Sequence, residues 1–454
     1  MERLSASRHA LVAVDDEHGR FRVHRDALRD PEVFKDEMKL IFDRCWLYIG
    51  HVSELPEKGS FVERTVGGRA LIFVRTRNDE ILALYNSCTH RGARLCRDKR
   101  GTARNFTCPY HGWVFGMDGQ LRSMNAEKGK GFAEGISDDD SLNLRKVARI
   151  DHYRGFYFVN YDPEAIGLAD YLAGAKNFLD LMIDQAEGSD LVVLPGEHSY
   201  SVSGNYKFMC ENSYDGYHVP STHMSYLEYL QERDASSDSA GELAAVLAKY
   251  SEYGEGWGLG HGHGGMESWV PTGRPVAQWV PSWGEAAKAE VEETYARLTE
   301  KFGKERADRI ANSQKNMVIF PNLVINDNVG FTIRVVEPTS VSSMRITAWA
   351  LAPTNESPAM RKIRLDNFVG FLGPAGMGSA DDVEMIEICQ QGLEHTPVEW
   401  NELSKGMQPC ADRRWETSGP SDEAQIRAYW AQWDLMMRGE PAFNQPEPPQ
   451  AKEV

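Results

Sequence analysis

The sequence lacks any apolar run long enough to cross a membrane. A spanning helix needs about 20 consecutive, mostly apolar residues, and no stretch of the 454-residue chain approaches this length. The first twenty residues, MERLSASRHALVAVDDEHGR, also lack the apolar core and the cleavage signature of a secretory signal peptide. We therefore expect no membrane association and a cytoplasmic location.

Basic residues are too few to balance the acidic ones. The chain has 50 Lys and Arg residues against 67 Asp and Glu residues, a formal net charge of -17. Nucleic-acid binding depends on clustered Lys and Arg side chains that neutralise phosphates. The charge therefore argues against a nucleic-acid partner, whereas it is compatible with acidic docking of a basic protein.

Cysteine is scarce and unevenly placed. The chain has seven cysteines, an odd number, and Cys88, Cys96 and Cys108 fall within 21 residues. Disulfides are unusual in the cytoplasm, so this cluster indicates metal chemistry rather than cross-linking. Four other cysteines are expected to be ordinary buried thiols: Cys45, Cys210, Cys389 and Cys410.

The length and the residue periodicity predict two domains. Residues 40–160 contain short β-rich runs separated by turn residues, with a hairpin turn near Asn78-Asp79, and predict a small all-β domain. Residues 161–454 alternate helical patterns with strand-like runs such as MVIFPNLVIND. We predict that this second, α+β domain has a central antiparallel sheet flanked by helices, and that residues 1–39 pack on it.

One long stretch in the second domain has no periodicity. Residues 253–284, YGEGWGLGHGHGGMESWVPTGRPVAQWVPSWG, are rich in Gly, Trp and Pro. Such a composition favours a large loop over a site. We expect a mobile pocket wall here, and we expect that His261 and His263 within it do not bind a metal.

The first metal-site candidate combines Cys88-x-His90 with Cys108-x-x-His111. Zinc accepts a Cys2His2 set, but zinc-finger order places both cysteines in one element and both histidines in the other. A Rieske [2Fe–2S] cluster needs two cysteines on one iron and two histidines on the other. Because each loop here supplies one of each, the pattern favours the Rieske cluster. Cys96, between the loops, is expected to pack rather than to bind.

The second candidate lies in YDGYHVPSTH, where His218 and His223 are five positions apart. On a straight helix their side chains would be rotated by about 140° from each other. Pro220 lies between them and disrupts helical hydrogen bonding, so we predict that the helix breaks at Val219-Pro220 and turns His223 back toward His218.

A carboxylate would complete this second site. Non-haem Fe(II) oxygenases bind iron through two histidines and one carboxylate. GPAGMGSADDVEMIE supplies Asp381 and Asp382 as candidates. The alternative is that these acids favour a helix N-terminus, with Ser379 or Asp381 as its cap.

Together, CTHRGARL, CPYHGW, ENSYDGYHVPSTH and the Asp381-Asp382 pair resemble the α subunits of Rieske non-haem iron aromatic-ring-hydroxylating dioxygenases over essentially the whole chain. The resemblance implies that His218, His223 and Asp382 bind the mononuclear iron. It also implies that Asp215 links His218 to His111 of a neighbouring subunit, and that Asn212 lies close to the iron. One departure is that two residues separate Asn212 from Asp215, where some family members have three.

The resemblance further implies a terminal oxygenase. Electrons from NAD(P)H, delivered by a ferredoxin or a flavin reductase, and O2 would serve to cis-dihydroxylate an aromatic hydrocarbon or an aromatic acid. Two alternatives are a Rieske-type monooxygenase or demethylase and a simple electron carrier; the carrier would leave about 290 residues unexplained. An α3 or α3β3 assembly is expected.

The resemblance also suggests which residues line the substrate pocket. The predicted lining residues are Phe208, Asn212, Ser213, Leu372, Met377 and Gly378. An aromatic carboxylate would need a basic or hydrogen-bonding group such as Arg334 or His261, and sequence does not place either of them at the pocket.

Overall fold

The computed structural model describes residues 10–124, 131–133, 135–233, 252–409, 419–440 and 443. The chain forms two compact units, one of residues Phe42–Leu168 and the other of residues Met1–Ile41 with Ala169–Val454. Within the part of the chain that is described, no helix is both long and apolar enough to cross a membrane.

The smaller unit is built almost entirely from antiparallel strands. Its strands are Leu47–His51, Ser60–Val66, Arg69–Arg75, Ile81–Tyr85, Arg100–Thr102, Asn105–Thr107, Val114–Gly116, Leu121–Ser123, Arg149–Tyr153 and Phe156–Asn160. They form one four-stranded and two three-stranded sheets. Three short 3-10 helices, Val52–Glu54, Ile136–Asp138 and Asp140–Leu142, complete it. The prediction of a small all-β domain is confirmed.

Two strands of this unit form a hairpin whose turn residues are recognisable in the sequence. Arg69–Arg75 pairs with Ile81–Tyr85, and Asp79 has φ of 73°. The predicted turn at Asn78-Asp79 is therefore confirmed. Asp and Asn tolerate this left-handed conformation better than most residues, so these residue types favour a turn here. The apolar faces of these strands pack around Leu84 and Phe115, which are fully buried.

The larger unit contains an eight-stranded antiparallel sheet. Its main path runs, in spatial order, Leu191–Val193, Ser343–Pro353, Phe331–Ser340, Leu323–Asp327, Gln314–Ile319, His263–Ser268 and Gly254–Gly260, and His198–Val202 also pairs with Ser343–Pro353. A three-stranded sheet joins Val12–Asp15, Arg20–His24 and Trp400–Glu402. The N-terminal segment thus pairs with a strand of the larger unit.

Helices flank the large sheet. The α-helices are Asp26–Arg29, Pro31–Glu37, Leu168–Leu172, Ala175–Asp184, Tyr206–Asn212, Val219–Thr222, Met224–Arg233, Glu285–Phe302, Lys304–Ala311, Pro358–Asn367, Met377–Gly392 and Ala424–Met437; Met38–Phe42 and Phe368–Leu372 are π-helical. The longest of these α-helices, Glu285–Phe302, buries Val291 and Leu298 and ends before Gly303, which has φ of 78°. The predicted α+β fold is confirmed.

The Gly-rich stretch is not one long irregular loop, so the loop prediction was wrong for residues 254–268, whereas residues 269–284 contain no further strand. Four of its residues, Met266, Ser268, Val270 and Thr272, line a cleft of this unit, in agreement with the predicted pocket wall. Gly254–Gly260 and His263–Ser268 are the two outermost strands of the sheet. A Cβ on Gly256 would lie 2.5 Å from Gln425, and one on Gly258 would lie 2.8 Å from Ala428. The glycines therefore let the helix Ala424–Met437 pack closely on the strands. In the sequence alone, glycines used for close packing resemble glycines of a flexible loop.

The isolated cysteines follow expectation in part. Cys45 and Cys210 are buried, as predicted. Cys389 is exposed, because it lies on the outer face of the helix Met377–Gly392; here the prediction was wrong. Cys410 lies outside the described residues.

Candidate functional site

The two Cys-His loops of the smaller unit share one backbone pattern. The N–H of Cys88 donates to the Ala93 carbonyl, and the N–H of Gly92 donates to the Cys88 carbonyl. The same two bonds recur at Cys108: its N–H donates to the Trp113 carbonyl, and its carbonyl accepts the N–H of Gly112. Gly92 and Gly112 have φ of 74° and 72°, so glycine closes each tight turn without strain.

These loops place buried thiols beneath partly exposed imidazoles. Cys88 and Cys108 are each 3% exposed. The rings of His90 and His111 lie 4.5 Å apart, and His90 stacks on Trp113 at 4.8 Å. Burial alone would raise the pKa of the Cys108 thiol, but hydrogen bonds from the backbone N–H groups of Tyr110 and His111 lower it. Such donors stabilise sulfur in its anionic, metal-binding form.

The spread of the four donors fits a two-iron cluster better than one zinc ion. Around a single tetrahedral ion all donor atoms lie within about 4 Å of one another. No three of the four donors here come that close. Among the described residues, one group of three or more Asp, Glu, Cys or His side chains has ligand atoms within 4.8 Å of one another, and it lies in the other unit. The buried Nδ1 of His90 has no hydrogen-bond partner in the described chain, which leaves it available as a ligand.

The second candidate site lies on a chain segment that turns twice. The helix Tyr206–Asn212 ends at the C-cap Ser213, and a single-turn helix, Val219–Thr222, follows. Pro220 is in the first turn of this short helix and His218 precedes it. Proline is well tolerated there, so Pro220 helps to start a helix; the predicted break at Val219-Pro220 was wrong. The predicted convergence of the two histidines is confirmed, since their Nε2 atoms lie 3.2 Å apart.

His218, His223 and Asp382 form a compact triangle of ligand atoms. The Oδ1 atom of Asp382 lies 3.4 Å from Nε2 of His218 and 3.2 Å from Nε2 of His223. Neighbouring ligands of an octahedral ion with bonds of about 2.1 Å lie about 3 Å apart. The triangle therefore has the size of one octahedral face and fits a divalent metal, with the opposite face left for other ligands.

Charge and burial prepare the triangle for a cation. Burial opposes ionisation of Asp382, yet hydrogen bonds from His218 and His223 hold its pKa well below the usual range. Burial also disfavours protonated His218, but the carboxylates of Asp215 and Asp382 raise its pKa to about 9. At His218, the nearby carboxylates therefore favour positive charge more than burial disfavours it. A site with this balance also favours a bound cation.

Polar neighbours orient the triangle. Nδ1 of His218 lies 3.1 Å from Oδ2 of Asp215, whose Oδ1 accepts the Tyr217 N–H at 2.8 Å. The side-chain amide of Asn212 donates to Oδ1 of Asp382 at 2.9 Å. Asn212 is therefore adjacent to the triangle, and Asp215 fixes the ring of His218 from the side away from it.

The two aspartates of the helix Met377–Gly392 have different positions. Its N-cap is Gly376, with no side-chain cap, so the alternative in which Ser379 or Asp381 caps the helix was wrong. Asp382 faces the Nε2 atom of His223 within the triangle, whereas Oδ2 of Asp381 lies 3.5 Å from Nδ1 of His223, outside the triangle. Each histidine thus has a carboxylate near its second nitrogen.

The triangle opens on a cleft in the larger unit. Its apolar lining consists of Val219, Leu227, Met266, Val270, Val329, Phe371 and Leu372, and its amide lining of Asn212, Gln314, Asn316, Asn326 and Asn328. Ser213 also lines it. Of the two basic groups considered from sequence, the structure places Arg334 at the cleft.

Three predicted lining residues, Phe208, Met377 and Gly378, are not among the residues that line the cleft. Gly378 is covered by Phe371, whose ring would lie 2.5 Å from a Cβ at that position. Met377 and Gly378 begin a helix behind Phe371. Phe208 lies four residues before Asn212 on the same helix and so about 6 Å from it along the axis.

The amides that sequence reasoning missed come from neighbouring strands. Asn316 pairs with Asn326, and Met266 pairs with Asn316. Side chains alternate between sheet faces, so this cross-strand row faces the cleft. One sequence feature could have revealed these residues: Asn326 is an amide within the otherwise apolar start of the strand Leu323–Asp327.

His261 and His263 have structural roles. Nδ1 of buried His263 accepts the Phe320 N–H at 2.9 Å, so its Nε2–H donates to the Tyr171 carbonyl at 2.7 Å. His261 also contacts that carbonyl at 3.0 Å. Both histidines thus anchor the strand turn to the helix Leu168–Leu172.

Comparison with known proteins identifies both units. The family described as Rieske [2Fe-2S] domain matches residues 45–140, and the family described as Ring hydroxylating alpha subunit (catalytic domain) matches residues 191–439. The large subunit of 2-halobenzoate 1,2-dioxygenase from Burkholderia cepacia is 35% identical over 91% of this chain and 84% of its own length. Toluate 1,2-dioxygenase subunit alpha from Pseudomonas putida is 33% identical over 87% and 84%.

A solved structure agrees with these relatives. Naphthalene 1,2-dioxygenase with indole bound in its active site has a TM-score of 0.79 at 25% identity, covering 93% of each chain. A Rieske domain followed by a ring-hydroxylating catalytic domain defines the large subunit of a terminal oxygenase. The chain belongs to the α subunits of Rieske aromatic ring-hydroxylating dioxygenases, and it has a Rieske [2Fe–2S] domain and a His-His-Asp site for mononuclear iron.

Proposed function

We propose that this oxygenase adds both atoms of O2 to neighbouring ring carbons of an aromatic acid, giving a cis-dihydrodiol. The observation that carries the proposal is the triangle of His218, His223 and Asp382 opening on a cleft that is apolar over much of its wall. An apolar wall favours an aromatic ring. The relatives named for 2-halobenzoate and toluate support an acid as the substrate.

Both metal groups have residues that fit them. Cys88, His90, Cys108 and His111 would hold the cluster, and His218, His223 and Asp382 would hold the iron. When bound, the cluster supplies electrons and Fe(II) supplies the activation of O2.

The surrounding residues position these ligands and exclude water. Asp215 accepts the Nδ1–H of His218, which fixes the tautomer that presents Nε2 to the metal. Asn212 holds Oδ1 of Asp382 in place. Leu227, Phe371 and Leu372 line the cleft with apolar surface, which would exclude water around a bound aromatic ring.

The proposed assembly is an α3 or α3β3 oligomer. In it, Asp215 would also contact His111 of a second copy of the chain and so link its cluster to this iron. The partial exposure of His111 and the 60% exposure of neighbouring Tyr110 support a contact of this kind. A ferredoxin or flavin reductase in the cytoplasm would deliver electrons from NAD(P)H.

A single-turnover experiment tests the reaction. Iron-loaded protein is reduced without oxygen, mixed with benzoate and exposed to 18O2, and the product is analysed by mass spectrometry. We expect a dihydrodiol with two labelled oxygens. A phenol or dealkylated product with one labelled oxygen, from any aromatic substrate tried, would show a monooxygenase or demethylase instead.

A further inference from the structure

A buried arginine lies in the wall of the cleft. Arg334 is on the strand Phe331–Ser340, opposite Val324 of the adjacent strand, and is only 2% exposed. The apolar Ile333 and Val335 flank it in sequence and point to the other face of the sheet. Among the described residues that line the cleft, Arg334 is the only lysine or arginine.

The hydrogen bonds of Arg334 are to neutral groups. Its Nε and Nη2 donate to Oδ1 of Asn326 at 3.1 and 2.7 Å, and Nη2 also donates to Ser213 Oγ at 3.3 Å. Nη1 lies 3.9 Å from Sδ of Met209, and a thioether is a weak acceptor. Within the described residues, no carboxylate lies within 4 Å of this guanidinium, although Arg274 and Arg364 in the same unit each have one.

A buried guanidinium without an anion is unfavourable. A charge removed from water is normally paired or fully hydrogen-bonded. The two acids that line the cleft are engaged elsewhere, since Asp215 contacts His218 and Asp382 contacts both histidines. An anion from outside the chain would meet this need.

The surroundings of Arg334 are fixed rather than adaptable. The amide of Asn326 donates to the Ser213 carbonyl and to Oδ1 of Asn316, at 3.2 and 2.7 Å. Its oxygen is therefore turned toward Arg334, which holds the guanidinium in one orientation. A planar guanidinium held in this way matches the geometry of a carboxylate.

We propose that Arg334 binds the carboxylate of the aromatic substrate and makes the enzyme selective for aromatic acids over neutral arenes. This inference rests on the proposed function and assigns the selectivity to one residue. Arg334 would act as a binding residue: it would hold the carboxylate, while the ring carbons that react would face His218, His223 and Asp382.

The test compares benzoate with benzamide, its neutral analogue of nearly equal shape. Binding to reduced, iron-loaded protein is measured by calorimetry without oxygen, for the wild type, Arg334→Gln and Arg334→Lys. Arg345→Gln is the matched control, because Arg345 is exposed on the adjacent strand. Iron and cluster content are measured in every variant to confirm folding.

We expect the wild type to bind benzoate at least about 30-fold more tightly than benzamide, as for a buried charge pair. Arg334→Gln should reduce this preference to below about threefold, chiefly by weakening benzoate binding, and Arg334→Lys should retain part of it. Arg345→Gln should match the wild type. If Arg334→Gln keeps the full preference, or if Arg334→Lys abolishes it while Gln does not, Arg334 is not the carboxylate site.

Failure of this inference can be told from failure of the proposed function. In the first case, the wild type still converts benzoate to a doubly labelled dihydrodiol while the Arg334 variants bind benzoate normally. In the second case, the wild type forms no dihydrodiol from any aromatic compound tested, whatever the Arg334 variants bind.

Discussion

At the scale of single residues, His218 is held by a carboxylate at each of its ring nitrogens. Asp382 lies 3.4 Å from Nε2, in the triangle that fits the metal, and Asp215 lies 3.1 Å from Nδ1. A group that orients a metal ligand typically changes activity or metal affinity by about 10- to 100-fold when it is removed. Asp215 is therefore the residue where positioning can best be separated from metal binding.

We predict that Asp215→Asn and Asp215→Ala leave both metal groups bound while turnover falls about 10- to 100-fold. The reason is that His218 keeps its ligand nitrogen but loses the acceptor that fixes its tautomer. Steady-state turnover and metal analysis of the same preparations measure this. An Asp215→Ala enzyme with wild-type turnover would refute the role.

Asp381→Asn is the matched comparison. Asp381 lies 3.5 Å from Nδ1 of His223, a longer contact than that of Asp215 with His218. We expect a smaller loss of turnover than for Asp215→Asn, with the metals retained. The reverse order of effects would show that His223, not His218, depends more on its carboxylate.

Replacing a ligand should separate the two metal groups. His218→Ala should lose the mononuclear iron and keep the visible absorbance of the cluster, because the cluster residues Cys88 and His111 belong to the other unit. Iron analysis with optical spectra provides the measurement. Loss of both groups together would mean that the two sites are wrongly assigned.

His263 makes folding depend on pH. Burial lowers its pKa from 6.5 to about 3, despite the hydrogen bond to the Tyr171 carbonyl. Between these values the unfolded chain binds a proton that the folded chain does not, so stability falls as pH falls below 6.5.

We predict that this group contributes about 1.4 kcal/mol of the stability lost between pH 7.5 and 5.5. His263→Asn should lack that contribution, and His395→Asn, at an exposed position with φ of 50°, should retain it. Urea unfolding of each protein at both pH values compares them. Equal pH dependence in wild type and His263→Asn would contradict the assignment.

At the scale of elements, glycine explains both a failure and a success of sequence reasoning. Gly92 and Gly112 adjoin the Cys-His pairs in sequence and have the positive φ of turn residues, so their local context agrees with their structure. The glycines of Gly254–Gly260 were read as a loop because no apolar alternation marks these strands; their partner, the helix Ala424–Met437, is more than 150 residues away in sequence. Local patterns record turns, but they do not record what packs against a strand.

This packing can be tested at Gly264. A Cβ there would lie 2.5 Å from the ring of buried Tyr214, so Gly264→Ala should lower the free energy of unfolding by about 1–3 kcal/mol. Gly392→Ala is the control, since nothing lies within 4 Å of its Cβ position. Chemical denaturation compares them, and a Gly264→Ala protein as stable as the control would contradict tight packing.

In the cleft, the sequence predicts the candidate metal ligands but not the position of Arg334. His218, His223 and the aspartate pair were predictable because their residue types are those of an iron site. The position of Arg334 was not, because the face on which a strand residue lies depends on the register with its neighbours, here Val324 opposite Arg334. Register is a property of the whole sheet.

At the scale of the whole molecule, each unit holds the residues for one metal group. The unit Phe42–Leu168 contains Cys88, His90, Cys108 and His111, and the other unit contains the iron triangle and its cleft. Electron delivery and ring chemistry are thus assigned to separately folded parts of one chain. The central claim is that both groups are present in the same protein.

The most direct test is the content of iron and acid-labile sulfide per chain in protein purified without oxygen. A [2Fe–2S] cluster with one mononuclear iron requires about three irons and two sulfides per chain. Two irons with two sulfides, unchanged after incubation with Fe(II), would contradict the mononuclear site. Zinc without sulfide would contradict the account as a whole.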